Sequence, residues 1–82
     1  MYYVYILISK LKQNEIYIGS TSKLSNRLKQ HNSGKIFSTK RYTPWILIYY
    51  EAYREERLAR SREQRLKQHG NAKKELKKRI GL

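Results

Sequence analysis

The chain has no cysteine and only 6 carboxylate side chains among its 82 residues. Without cysteine there can be neither disulfide staples nor thiolate metal sites. No apolar run approaches the length needed to span a bilayer, so a transmembrane segment is not expected. The N-terminus lacks the charged head, apolar stretch and small-residue cleavage site of a secretory signal. A soluble cytoplasmic protein without a membrane partner is therefore the expectation. No internal repeat and no low-complexity segment is visible. At this length one small domain, residues 1–82, with a modest core is expected.

What is present in excess is positive charge. Lys and Arg number 19, which gives a formal net charge of +13. Such an excess concentrates polyanions around a protein and speeds their encounter with it. Residues 54–82 carry 11 basic and 4 acidic side chains, and residues 1–53 carry 8 and 2. The excess thus runs along the whole chain and is not a basic tail on a neutral domain. Composition points to nucleic acid as the partner, well ahead of an anionic membrane.

The apolar pattern divides the chain into short elements. Residues 2–9, YYVYILIS, are β-branched and aromatic and predict a strand. Val4, Ile6 and Ile8 share one face; Tyr3, Tyr5 and Leu7 share the other. A polar connection, KLKQNE, predicts a hairpin leading to a second strand over 15–19, ended by Gly19. If Ile16 and Ile18 join Val4 and Ile6, then Tyr5 and Tyr17 emerge together on the opposite face. Ser20, Thr21 and Ser22 are candidate N-caps for a helix reaching Asn32. On that helix Leu24, Arg27, Leu28 and His31 fall within an arc of about 100°. A basic loop, 35–44, follows. Residues 45–50, WILIYY, predict a third strand buried on both faces. Residues 54–69 form a second helix whose stripe holds Leu58, Ala59, Arg62, Glu63 and Leu66. Gly70 and Asn71 are expected to break it, and a last helix over 72–80 aligns Ala72, Leu76 and Ile80. The order β-β-α-β-α-α, with a hairpin first, predicts an α+β domain with a small, mostly antiparallel three-stranded sheet.

The ordered pieces Tyr3-Val4-Tyr5, Tyr17-Ile18-Gly19, the helix LSNRLKQHN, Pro44-Trp45 and the stretch ARSREQRLK resemble the GIY-YIG nuclease superfamily, especially its small stand-alone bacterial members. The likeness extends over about residues 2–80 and includes the nuclease domain of the excision-repair incision subunit. It implies roles for five residues. Tyr5 and Tyr17 match the motif tyrosines, Arg27 the helix arginine, and His31 a position filled by His or Tyr. Glu63 matches the glutamate that holds a divalent metal, Mg²⁺ or Mn²⁺. Tyr3 stands where the motif has Gly. A late Asn common in the family has no convincing counterpart, because Asn71 reads as a helix cap.

The chemistry of these residue types agrees. Phosphodiester hydrolysis needs an activated water, stabilisation of added negative charge and help for the leaving oxygen. A single Glu can hold Mg²⁺ that keeps most of its waters, provided substrate phosphate supplies further oxygen. Arg27 carries the planar fork suited to phosphate. A tyrosine is a poor base at its ordinary pKa, and a neighbouring guanidinium is expected to lower it. His31 is matched to neutral pH. Tyr5 is favoured as the base or water-orienting group, with His31 assisting and Tyr17 holding the site, and the first two roles could be exchanged. Lys35, Lys40, Arg41 and Arg62 are candidate nucleic-acid contacts, DNA in preference to RNA. Arg62 lies mid-stripe and either snorkels or holds phosphate. Tyr42, Tyr49 and Tyr50 could stack on bases, although packing is the plainer role for the last two, as it is for Trp45. Each residue alone has such an ordinary reading: strand packing for Tyr5 and Tyr17, a dipole partner for His31, a Lys67 ion pair for Glu63. Only their joint order favours catalysis. The competing function is a non-catalytic nucleic-acid-binding module or an accessory subunit of a repair complex. A protein partner could supply target specificity in either case.

Overall fold

A computed structural model describes all 82 residues. The elements are β1 (Tyr2–Ser9), β2 (Ile16–Thr21), α1 (Leu24–Asn32), a 3₁₀ turn (Lys40–Tyr42), β3 (Trp45–Tyr53), α2 (Glu56–Gln68) and α3 (Gly70–Arg79). The strands form one sheet in the order β2-β1-β3, and both pairings are antiparallel. The fold is therefore the α+β arrangement expected from the pattern of elements. β1 is central because its YYVYIL run is apolar or aromatic at every position, which suits a strand covered on both faces.

Two apolar layers sandwich the sheet. On one face Val4, Ile6 and Ile18 pack with Ala59 and Leu66 of α2 and Leu76 of α3. On the other, Tyr5, Leu7 and Trp45 pack with Tyr17, Tyr42 and Leu47 and with Leu24 and Leu28 of α1. The alternation along β1 and β2 thus sends isoleucines one way and tyrosines the other. β3 departs from simple alternation. A register shift opposite Ile6/Leu7 leaves Ile48 without a partner, and one extra residue reverses the faces beyond it. Trp45 and Leu47 consequently join Tyr5, whereas Tyr49 and Tyr53 join Val4.

Several boundaries differ from the sequence expectations. β3 is not buried on both faces; it is an edge strand that runs to Tyr53, with Ile46 and Tyr50 exposed. Gly19 does not end β2, which continues through Ser20 and Thr21. Those residues pair with Val4 and Tyr3, so α1 starts only at Leu24, without a side-chain cap on the helix itself. Thr21 Oγ1 instead accepts the Lys23 N–H at 3.1 Å. The α2–α3 break falls at His69, whose extended backbone (φ −107°, ψ 103°) ends one helix and begins the next. Gly70 and Asn71 lie inside α3. Leu58 is exposed, because the buried stripe of α2 centres on Ala59 and Leu66.

Candidate functional site

The site grows from the pairing of β1 with β2. Tyr5 lies opposite Gly19. A β-carbon at position 19 would sit 2.6 Å from the Tyr5 hydroxyl oxygen and 2.9 Å from the Tyr17 ring. The glycine is needed for space, since only a bare backbone lets the Tyr5 ring lie across β2. The Tyr17 ring stands 6.2 Å from that of Tyr5 and 4.8 Å from that of His31. Its size and aromatic contacts make it one wall of the site.

α1 brings His31 down onto the two tyrosines. The imidazole has no solvent exposure. Nε2 lies 2.8 Å from the Tyr5 hydroxyl, and Nδ1 lies 2.8 Å from the Thr39 hydroxyl. The Thr39 hydroxyl can donate onward to the Ile36 carbonyl at 3.5 Å. We therefore assign the hydrogen to Nδ1, donating to Thr39, so that Nε2 accepts from Tyr5. Thr39 is fixed in turn, because Trp45 Nε1 donates to its carbonyl at 2.8 Å. Asn32, next to His31, clamps the start of β3 by bonding both the N–H and the carbonyl of Trp45.

Burial moves both pKa values away from neutrality. His31 is held down to about 4, first by burial and then by the positive charge of Arg27. Tyr5 is pushed up to about 12 by burial; Arg27 beside it pulls the other way, while Tyr17 and Glu63 add to the rise. The expected lowering of the phenol by the guanidinium is present but loses to desolvation. At neutral pH the pair is a neutral phenol bonded to a neutral imidazole, so His31 does not titrate near pH 7. Arg27 is partly exposed and donates to Gln30 Oε1 at 3.0 Å.

Glu63 reaches the same edge of the sheet from α2. One carboxylate oxygen accepts from the Ser20 hydroxyl at 2.5 Å. The other accepts from Lys67 Nζ at 2.7 Å, and that ammonium also stands 5.7 Å from the Tyr17 ring centroid. Ser20 directly follows the glycine over which Tyr5 lies, so Gly19 and Ser20 join the tyrosine face to the glutamate. Ser20, Arg60, Glu63, Gln64 and Lys67 line a wholly polar depression there. No group of three His, Cys, Asp or Glu side chains converges anywhere in the molecule.

The basic candidates separate. Lys35, Lys40 and Arg41 are exposed on the loop between α1 and β3. Arg62 is engaged within the fold, in an ion pair. Its fork binds Glu51 of β3 through Nε at 2.9 Å and Nη2 at 3.1 Å, and the Tyr49 and Tyr53 hydroxyls donate to the same carboxylate. The mid-stripe position reflects a partly buried ion pair on the face opposite Tyr5. Charge also has a pattern that counting by halves hides. Residues 16–50 contain Lys23, Arg27, Lys29, Lys35, Lys40 and Arg41 and no carboxylate. This acid-free segment includes α1 and the loop, which cover the tyrosine face.

The GIY-YIG catalytic domain model matches residues 1–79. The chain belongs to the GIY-YIG family. A UPF0213 protein of Clostridium perfringens is 41% identical over 71 residues, covering 82% of this chain and 71% of the relative. One from Staphylococcus haemolyticus is 36% identical over 64 residues (77% and 78%), and one from Haloquadratum walsbyi is 30% identical over 74 (89% and 83%). No solved structure matches. Within this GIY-YIG chain, Tyr5, Tyr17 and His31 touch one another, Arg27 stands beside them, and Glu63 lies around the β2 edge. Sequence reasoning did not single out Ser20, Thr39 or Lys67 as parts of the site. Only Lys67 left a signal, through its i,i+4 spacing from Glu63.

Proposed function

We propose that this GIY-YIG domain is a divalent-metal-dependent endonuclease of low sequence specificity that hydrolyses nucleic-acid phosphodiesters, DNA in preference to RNA. The observation that carries this reading is the convergence at the β2 edge. A neutral Tyr5–His31 pair, a guanidinium and a carboxylate meet around a backbone with no side chain at Gly19. An ordinary packed core has no use for that combination.

Arg27 offers its fork to the non-bridging oxygens of the scissile phosphate and offsets the charge that grows there. Tyr5 orients the attacking water. As the water oxygen bonds phosphorus and the P–O bond to the leaving group breaks, the water proton passes to the Tyr5 oxygen. The phenolic proton passes at the same time to His31 Nε2. This relay suits a phenol that is not a standing phenolate. Tyr17 fixes both rings, and Thr39 fixes the imidazole tautomer.

Glu63 is the proposed metal ligand. Its donor set fits a hard cation: one carboxylate oxygen beside the Ser20 hydroxyl, and a second against which the protein already places a cation, Lys67. With only one carboxylate, Mg²⁺ or Mn²⁺ would keep most of its waters and share substrate oxygens. When bound, it would stabilise charge on the phosphate and leaving oxygens. The test is incubation of the protein with labelled single-stranded, duplex, flap and junction DNA and with RNA, with Mg²⁺, Mn²⁺ or EDTA. Metal-dependent internal cleavage of at least one substrate is expected. Tight binding without cleavage of any of them would favour the non-catalytic binding module. Cleavage only after addition of a cellular fraction would favour the accessory-subunit reading, with specificity supplied by a protein partner.

A further inference from the structure

Phe37 is the most exposed large apolar side chain of the molecule, at 83%. It belongs to neither apolar cluster, so packing does not explain it. Single exposed apolar residues are ordinary, but this one has a distinctive setting. Lys40 Nζ stands 5.0 Å from its ring centroid. Further along the loop Tyr42 is flanked by two cations, Lys12 Nζ at 4.9 Å and Arg41 Cζ at 5.9 Å from the ring centroid. Aromatic faces interleaved with cations, on a segment without a carboxylate, combine base stacking with backbone neutralisation.

The platform is tied to the catalytic histidine. Phe37 lies two residues before Thr39, whose hydroxyl accepts from His31 and whose carbonyl accepts from Trp45. Two residues of chain span at most about 7 Å, so a base on Phe37 lies within a few nucleotides of the phosphate at Tyr5. Bases inside an intact duplex have their faces covered by their neighbours. A protruding ring can receive only an unpaired base or one at a strand end.

We propose that Phe37, assisted by Lys40, is a stacking platform for an unpaired DNA base within a few nucleotides of the scissile phosphate, which makes it a determinant of substrate structure. The proposal rests on the nuclease reading for the place of cleavage, but the contact itself requires no catalysis. The test measures binding in EDTA to a short single-stranded oligodeoxynucleotide and to a relaxed, covalently closed circular duplex without ends, for wild type, Phe37→Ala, Phe37→Leu and Phe37→Trp. Alanine and leucine should each weaken single-strand binding about tenfold, the scale of one base–aromatic stack. Tryptophan should retain binding, and duplex affinity should be unchanged in all three. A 2-aminopurine placed at successive positions should be quenched by wild type at one position and not by the leucine variant. Unchanged single-strand affinity of Phe37→Ala, equal losses on both substrates, or full retention by leucine would overturn the platform. If the Phe37 dependence holds while no substrate is cut with Mg²⁺ or Mn²⁺, the nuclease reading fails and the platform stands. If cutting is seen without any Phe37 dependence, the reverse applies.

Discussion

The two faces of the sheet solve opposite problems with similar amino acids. On the α2–α3 face, polar side chains are paired off: Arg62 with Glu51, and Tyr49 and Tyr53 with the same carboxylate. On the α1 face, Tyr5, His31 and Thr39 form a chain of neutral groups, with Arg27 beside Tyr5 and no carboxylate on any covering segment. Tyrosine and arginine are tied into a carboxylate network on one face and left without one on the other. The difference lies in whether a carboxylate is present to occupy them. Glu63 sits at the boundary, anchored in the first layer and reaching the second around the edge of β2.

The largest effect should come from that boundary. Glu63→Ala is expected to abolish cleavage while leaving the fold nearly intact, because its partners Ser20 and Lys67 are at the surface or close to it. Cleavage assays with circular dichroism would check both halves, and undiminished turnover, or undiminished wild-type turnover in EDTA, would remove Glu63 as a metal ligand. Next come changes to the tyrosine face. Tyr5→Phe and Arg27→Ala should each reduce turnover about 10²-fold, and the double variant should lose less than the product of the two, as members of one unit do. Gly19→Ala should also act there. A methyl group 2.6 Å from the Tyr5 hydroxyl must displace the ring, costing activity and about 1–3 kcal/mol of stability from overpacking.

A smaller effect separates the faces by pH. His31 has a folded pKa near 4, below its ordinary 6.5, so the unfolded chain binds the proton first. Its contribution is complete above about pH 6.5 and is lost as pH falls towards 4, by up to about 3 kcal/mol. Denaturant midpoints at pH 7.5 and 4.5 should differ less in His31→Gln than in wild type, and equal differences would show that His31 is not held neutral. For the same reason the rate profile between pH 6 and 8 should show no inflection from His31. The smallest effect on function belongs to the opposite face. Arg62→Met should cost about 1–3 kcal/mol by stranding Glu51 and leave DNA affinity and its salt dependence unchanged. A shallower salt slope in that variant would return Arg62 to the binding surface.

Much of the fold was legible because β-strand period and helical period are local properties. Alternating Ile and Tyr along residues 3–8 and 16–18 determined which side chains share a face, and the short polar link after Ser9 determined an antiparallel first pair. The five motif residues were legible as an ordered set. Less legible was where elements stop. Ser20 reads locally as a helix cap, yet its backbone pairs with β1 and its hydroxyl meets Glu63, 43 residues away. Trp45 and Tyr49 have the same parity in sequence, and only the unpaired Ile48 puts them on opposite faces.

By itself the sequence determined the cationic surface, the absence of thiolate chemistry, the order of elements and the grouping of Tyr5 with Tyr17, since each follows from residue type or from spacing along one segment. Tertiary structure alone decided the electrostatics. Arg62 and Arg27 are both helix arginines, and their different roles depend on whether β3 presents Glu51 or α1 meets the tyrosine face. His31 read as a group that titrates near neutrality and Tyr5 as a phenol lowered by its guanidinium neighbour, and burial moved both the other way, His31 down to about 4 and Tyr5 up to about 12. Desolvation and pairing depend on distances between segments far apart in the chain, which no local pattern specifies.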